Sequence, residues 1–392
     1  MGEVANIPQL RFPEFDQPLL TDILLNLTDV LRCGIAATPK YVDSGITFLS
    51  SQNVTPTGKI LMDKCNFISE DYYKKISKNA KLLKGDILYS RVGARYGNAA
   101  IFPFEGDYGV YVSLTHIRAS QKLDNTFLKF LLNSPIGKTQ AKKGVFQGGG
   151  VPNLNVKVVE KFKINFPSKP EQQKIAAFLT AVDAKIEQLI KKKELLDEYK
   201  KGLMQQIFSQ AIRFKADDGS DFPDWKEKKL GDILDYEQPT NYIVDSTEYD
   251  NSFDMPVLTA GKSFVLGYTN ETHKVFENIP VIIFDDFTTA NKYVDFPFKV
   301  KSSAMKILKP KDSFVNIRLI FEFIQMLNFP IGEHKRYWIS EYQDLKIPFP
   351  SFEEQTKIAS FLSSIDNKIE QVGKQLDESK QFKKALLQQM FV

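Results

Sequence analysis

Arginines, tyrosines and glycines interleave over Leu88-Tyr89-Ser90-Arg91-Val92-Gly93-Ala94-Arg95-Tyr96-Gly97-Asn98. Glycine lets a backbone come close to a partner, arginine bridges guanine edges or phosphates, and asparagine pairs with adenine. Arg91, Arg95, Tyr96 and Asn98 are therefore candidate DNA contacts. A basic, glycine-rich stretch from Lys142 to Asn153 adds Lys142, Lys143 and Gln147. Later in the chain, the lysine-rich stretch that begins at Lys292-Tyr293 supplies Lys292, Tyr293, Lys299 and Lys301, and Lys262, Arg336 and Tyr337 complete the set. The competing reading of every such cluster is a solvated turn.

Catalytic patterns are incomplete. Gly137-Lys138-Thr139 and Gly261-Lys262-Ser263 resemble the end of a phosphate loop, but that loop needs a glycine five positions before its second one. Leu132 and Pro256 stand there. His116, His273 and His334 show no metal spacing, so no metal ligands are expected. Asp285-Asp286 follows the apolar run Val281–Phe284, where a nuclease could place carboxylates. The acidic-x-lysine partner is missing, and a strand-end turn is expected. No glycine-rich cofactor loop follows a strand, and no Asn-Pro-Pro-Tyr box for base methylation occurs. The chain reads as a binding protein without catalytic residues or a bound cofactor. The alternatives are a stand-alone DNA nuclease or methyltransferase, and a coiled-coil scaffold with no role on DNA.

The chain has 392 residues, 43% hydrophobic and 26% charged, with net charge +4. That sum hides a division. From Asp22 to Asn165 there are 20 Lys/Arg against 11 Asp/Glu, but from Asp232 to Pro348 there are 12 against 17. The first segment is drawn to a polyanion and the second is not. Cys33 and Cys65 are expected as reduced, buried thiols. No signal peptide or spanning segment is read, so the expected address is the cytoplasm.

What positions these segments is a repeat. Residues 166–208 return at 349–391 without a gap, and 22 of the 43 positions are identical. Each copy opens with Ser-x-x-Glu, Ser168/Glu171 and Ser351/Glu354, the pattern of a capping box. Apolar residues follow at steps of four and three: Ile175, Leu179, Val182, Ile186, Leu189, and Ile358, Leu362, Ile365, Ile369, Val372. That is a coiled-coil seam, expected to continue through Leu196, Tyr199, Leu203 and Phe382, Leu386, Met390. A weaker echo pairs Phe12-Pro13-Glu14-Phe15 with Phe222-Pro223-Asp224-Trp225. The expected fold is α+β: two α/β globules joined by two long helices packed as an antiparallel coiled coil, pseudo-twofold symmetric. The expected domains are 1–165, a first globule with an N-terminal arm; 166–210, a helix; 211–221, a linker; 222–348, a second globule; and 349–392, a second helix.

The assembled pattern resembles the specificity subunit of Type I restriction–modification systems, the HsdS family. The resemblance rests on Pro167–Ala176 with Asp183 and Lys185-Ile186-Glu187, and on Pro350–Ala359 with Asp366 and Lys368-Ile369-Glu370. Leu10–Phe15 and Phe222–Ile233 add to it. It implies two target-recognition domains, each reading one half of a split double-stranded DNA target. It also implies a helix pair that fixes their distance, two methyltransferase subunits docked on that frame, and restriction–translocase subunits beyond them. S-adenosylmethionine would belong to the methylation subunit, and ATP and Mg to the restriction subunit. Lengthening the joint Phe208–Ser220 is expected to lengthen the unread spacer. The acidic second segment departs from what two equivalent DNA-reading globules require.

Overall fold

In a computed structural model the described residues are 7–77, 81–146, 150–259, 263–330 and 336–392. Two compact units emerge. One takes the chain up to Ile190 together with Lys374–Val392; the other is Lys191–Gly373.

In the first unit, a four-stranded antiparallel sheet runs in the order Thr28–Cys33, Leu114–Ala119, Ile87–Ser90, Ala99–Ile101. Beside it in sequence lies a three-stranded sheet ordered Asn66–Ile68, Ile46–Leu49, Tyr108–Val110, the last pairing parallel. The second unit repeats both. Its four strands are Leu234–Glu237, Met305–Pro310, Val281–Asp285 and Asn291–Val294. Its three are Val265–Thr269, Met255–Leu258 and Lys299–Val300, again with the last pairing parallel. One topology thus carries two nearly unrelated sequences. The strands fall on Val/Ile/Leu runs between turn residues, because a buried pleat rewards branched apolar side chains. A helix closes each four-stranded sheet. Asn125–Asn133 is capped by the Asp124 carboxylate, and Ile317–Met326 by the Asn316 side chain.

The repeated tracts form helices Lys169–Phe208 and Phe352–Gln389, the first about 60 Å long at 1.5 Å per residue. In the first unit Ile175 and Leu179 share a core with Leu386, Met390 and Phe391. In the second, Met204 and Ile207 share one with Ile358, Ala359 and Leu362. Early residues of one helix meet late residues of the other in both units, so the pairing is antiparallel. Leu189, Ile365 and Val372 are buried, and Val182, Ile186 and Ile369 half-buried. The seam does not extend as the spacing implies. Leu386 and Met390 are buried as expected and Leu196 and Leu203 half-buried, but Tyr199 and Phe382 are 54% and 52% exposed, and in the first helix burial passes to Met204 and Ile207, which also face the second globule.

The capping boxes are likewise corrected. Ser351 Oγ accepts from the Glu354 amide at 3.3 Å, but the Glu354 carboxylate turns away from the helix end. It accepts from Arg213 Nη2 at 2.9 Å and Trp225 Nε1 at 2.7 Å. Glu171 accepts from Arg11 Nε and Nη2, both at 2.7 Å. Both carboxylates are buried, and a buried carboxylate is stable only against a countercharge; the guanidinium fork serves both oxygens. The adjacent glutamines are equally fixed. Gln172 accepts from the Asp124 amide and donates to the Lys122 and Pro167 carbonyls. Gln355 accepts from the Asn316 amide and donates to the Phe314 and Pro350 carbonyls. Glu-Gln is therefore a repeated lock between helix start and globule.

These locks also realign the weaker echo. Phe12 meets Phe178 edge-on at 5.8 Å, and Phe214 meets Phe361 edge-on at 5.5 Å. The Leu10 amide donates to Gln389 O, and the Ile212 amide to Gln206 O. Leu10-Arg11-Phe12 is thus matched by Ile212-Arg213-Phe214 in these contacts, while Phe222 repeats the contact of Phe12 with the helix lysine, Lys174 over Phe12 at 4.6 Å and Lys357 over Phe222 at 5.7 Å, and Trp225 joins the second lock.

Candidate nucleic-acid interface

Strand Ile87–Ser90 delivers the Arg/Tyr/Gly loop. Gly93 and Gly97, both at φ +79°, turn it. Arg91 does not project to solvent. It is 8% exposed and donates to the Leu154 carbonyl at 2.8 Å, the Val112 carbonyl at 3.0 Å and Asn153 Oδ1 at 3.1 Å. Its burial pushes the guanidinium pKa down. Arg91 is a strap that ties the loop to two neighbouring segments. Asn98 is also inside, its Oδ1 accepting from Lys138 Nζ, which donates to the Gly97 carbonyl as well. Arg95 is half-buried and donates to the Gln52 carbonyl, and Tyr96 packs half-buried on the core. Lys142 and Lys143 are exposed at the end of helix Pro135–Gly144. Gln147 lies outside the described residues. Gly137, part of the false phosphate loop, sits inside this helix, where a Cβ would stand 2.4 Å from the Leu131 carbonyl oxygen.

Behind the loop is a charged network absent from the sequence reading. Asp86 accepts from His116 Nε2 at 2.7 Å and from Arg118 Nε and Nη2, both at 2.7 Å. Burial alone would raise its pKa, but the hydrogen bonds from Arg118 and His116 outweigh it and hold the carboxyl at about 2. A carboxyl depressed from about 3.9 contributes roughly 2 kcal/mol, present above pH 4 and lost as pH falls through 2. Asp86→Asn is expected to destabilise the first unit by about 2–3 kcal/mol at pH 7. It should also flatten the fall in stability between pH 4 and 2, as read by urea unfolding at both ends of that window.

In the second unit, Lys292 is exposed on the edge strand Asn291–Val294. Tyr293 is half-buried, with the Arg318 guanidinium 4.7 Å from its ring centroid. Lys301 is half-buried near the Tyr249 ring, and Arg336 is exposed. Lys262 lies outside the described residues. Two candidates are corrected. Lys299 has no exposed surface; its ammonium contacts Glu271 at 2.9 Å and the His273 carbonyl, so it is a core cation. Tyr337 is 1% exposed and packs edge-on against Phe329. Alternation along a strand or one helical turn hides every second or third residue, which a lysine count does not register. Asp285 does form the expected turn, accepting from Phe287 N and from Thr288 N and Oγ1. Asp286 accepts from the Trp338 amide and pairs with Lys306.

His273, Asp245 and Glu271 bring ligand atoms within 4.8 Å of one another. Lys274 on Asp245 and Lys299 on Glu271 already answer both carboxylates, so this is an ion-pair cluster. Cys33 and Cys65 are free and only half-buried. Among the described residues no helix is long and apolar enough to cross a membrane.

A twice-used fold, with the same strand order and the same Glu-Gln lock at each helix start, carries loops that differ between its copies. The chain belongs to the family of the Type I restriction modification DNA specificity domain, which it matches over residues 40–197 and again over 223–379. It is 49% identical over 141 residues to the Type I restriction enzyme EcoR124I/EcoR124II specificity subunit of Escherichia coli, a match spanning 35% of each chain. The putative MjaX specificity subunit of Methanocaldococcus jannaschii is 24% identical over 98% of this chain and 93% of its own. In fold it is similar to the crystal structure of a Type-I restriction-modification S subunit from M. genitalium, with TM-score 0.66 and 17% identity over 98% of this chain and 99% of that one.

Proposed function

We propose that the chain is the DNA-binding specificity subunit of a Type I restriction–modification complex, with each globule reading one half of a bipartite double-stranded target. The observation that carries this is the duplication. Two globules share strand order and helix locks yet differ in their loops, as two readers of different sequences on one frame would. Phosphate contacts supply affinity and orientation, and a few base-edge contacts supply identity. The antiparallel helix pair sets the unread spacer and is the seat for two methyltransferase subunits, to which restriction–translocase subunits attach. The chain itself is non-catalytic. S-adenosylmethionine acts in the methylation subunits, ATP and Mg in the restriction subunits, and the complex works in the cytoplasm. In this reading the recognition globules are 1–165 and 222–348, the helices 166–210 and 349–392, and the linker 211–221.

Of the contact candidates, Arg95, Tyr96, Lys142, Lys143, Lys292, Tyr293, Lys301 and Arg336 retain exposed surface. The test is a map of methylated adenines in a cell carrying this chain and its methyltransferase. A bipartite motif with an unread centre is the expected result. A continuous motif, or methylation unchanged by deleting the chain, would overturn the proposal.

A further inference from the structure

The two long helices carry equivalent charge clusters that differ by one carboxylate. In the second unit Asp366 is shared by Lys200 and Arg318, and Glu322 balances the pair by contacting both cations. Asp183 occupies the matching helix position in the first unit and is shared by Lys383 and Lys129. There the helix Asn125–Asn133 brings Phe130, not a second acid, and both ammonium groups lie over its ring, Lys129 at 3.3 Å and Lys383 at 5.9 Å. Burial pulls the Lys129 ammonium pKa down to about 8, against the opposing pull of Asp183. Glu187 also acts on Lys129 but is paired with Lys59, so three cations face two carboxylates and an excess of positive charge is left.

That excess borders a cleft of about 280 Å³, lined by Asn133, Pro135, Lys138, Lys380, Lys383, Lys384 and Leu387. Lys380 and Lys384 are exposed on one face of the helix, four residues apart. Lys380 has only a 3.9 Å contact with Asp377, and Lys384 has no acidic partner among the described residues. Lys138 connects the cleft to the Arg/Tyr/Gly loop through its bonds to Gly97 and Asn98, and Lys142 follows it one helical turn later. Lys138 is itself half-buried, and the exposed ammoniums on either side of it are Lys142 on helix Pro135–Gly144 and Lys380 and Lys384 on the second long helix. The matching positions in the second unit are Asp197, Lys200 and Lys201, so Lys380 is replaced there by an acid.

We infer that Lys380 and Lys384 hold a backbone phosphate of the DNA bound by the first globule, making the last turns of the second long helix a DNA contact. This rests on the proposed function. Charge decides the occupant. A partner that docks alike on both helices meets the same groups twice, whereas these groups differ between the copies, as the bound half-sites do. Asp183, Lys129 and Lys383 supply the fixed positive field behind the two exposed ammoniums.

The test uses the full chain assembled with its methyltransferase subunits and measures affinity for its own duplex target between 0.05 and 0.3 M salt. Those concentrations are about those over which phosphate contacts are strongly titrated. Lys380→Ala/Lys384→Ala is expected to weaken binding by about ten-fold near 0.1 M salt, and to reduce the slope of log affinity against log salt by about 0.9, the share of one phosphate. The methylated motif should be unchanged. Lys201→Ala, at the matching place in the second unit, should leave affinity and slope as in the wild type. An unchanged slope in the double variant overturns the inference, as does an equal loss from Lys201→Ala. A wild-type complex that ignores the duplex would instead refute the proposed function.

Discussion

Glu354→Ala is expected to cost the second unit about 3–5 kcal/mol. Glu354 has no exposed surface, and its oxygens face Arg213 and the indole N–H of Trp225. Removing the carboxylate leaves a half-buried guanidinium whose remaining acceptors are the Phe222 and Pro223 carbonyls, with Asp224 at 3.6 Å. The Trp225 N–H loses its acceptor as well. Because the penalty is an abandoned charge, Arg213→Met combined with Glu354→Leu should cost less than the sum of the two single changes. Loss of the lock frees Ile212-Arg213-Phe214 from the helix start, and with it the entry into the second globule. Glu171→Ala should act alike on the first unit through Arg11. Thermal unfolding of both single variants and the double variant checks this. Strict additivity would show that the two residues do not act as a pair.

The repeat and the helix pattern were legible because a four-three apolar spacing over forty residues leaves few alternatives to a long paired helix. The repeated Glu-Gln was legible as a motif but was assigned a local role. Capping chemistry is the nearest explanation that spacing offers, while the partner Arg11 lies 160 positions away from Glu171. Its repeat counterpart was hidden behind the louder Phe-Pro-Asp-Trp match. The contact candidates fared least well for a related reason. Arg91, Lys299 and Tyr337 sit in stretches whose composition suits a surface, yet each side chain turns inward to carbonyls, a carboxylate or rings. Composition reports which residues are near, not which way they point. Buried Asp86 and His116 with half-buried Arg118 gave no signal at all, since strand pairing joined residues some thirty positions apart. The acidic balance of the second segment has a structural account in part: Glu322 and Asp344 are answered from outside the segment by Lys200 and Lys229, whereas Glu237, Glu271 and Asp286 pair with lysines of the segment itself and leave its net charge as it is.

Inserting four residues at matching points of both long helices, after Ile190 and after Gly373, is expected to lengthen the unread spacer of the target by about two base pairs. Four helical residues add about 6 Å, close to two steps of about 3.4 Å along DNA. They also turn the helix roughly 40° beyond one full turn, which a coiled coil absorbs as a local unwinding. Two base pairs turn the duplex by about 70° in the same right-handed sense. Both helices must be lengthened, because Lys383 to Asp183 and Lys200 to Asp366 fix their register at either end. For the joint beyond the first helix the local geometry argues the opposite outcome to the sequence expectation. The helix ends at Phe208, Gln210 turns the chain at φ 59°, and Arg213 is already locked to Glu354. Residues added at Ala216–Ser220 would bulge from a turn closed by the Ala216 and Gly219 amides, so the spacer should not change. Methylome sequencing of both insertion strains separates the two outcomes. A wild-type spacer in the helix-insertion strain, or a longer one from the turn insertion alone, would remove the helix pair as the element that sets the distance.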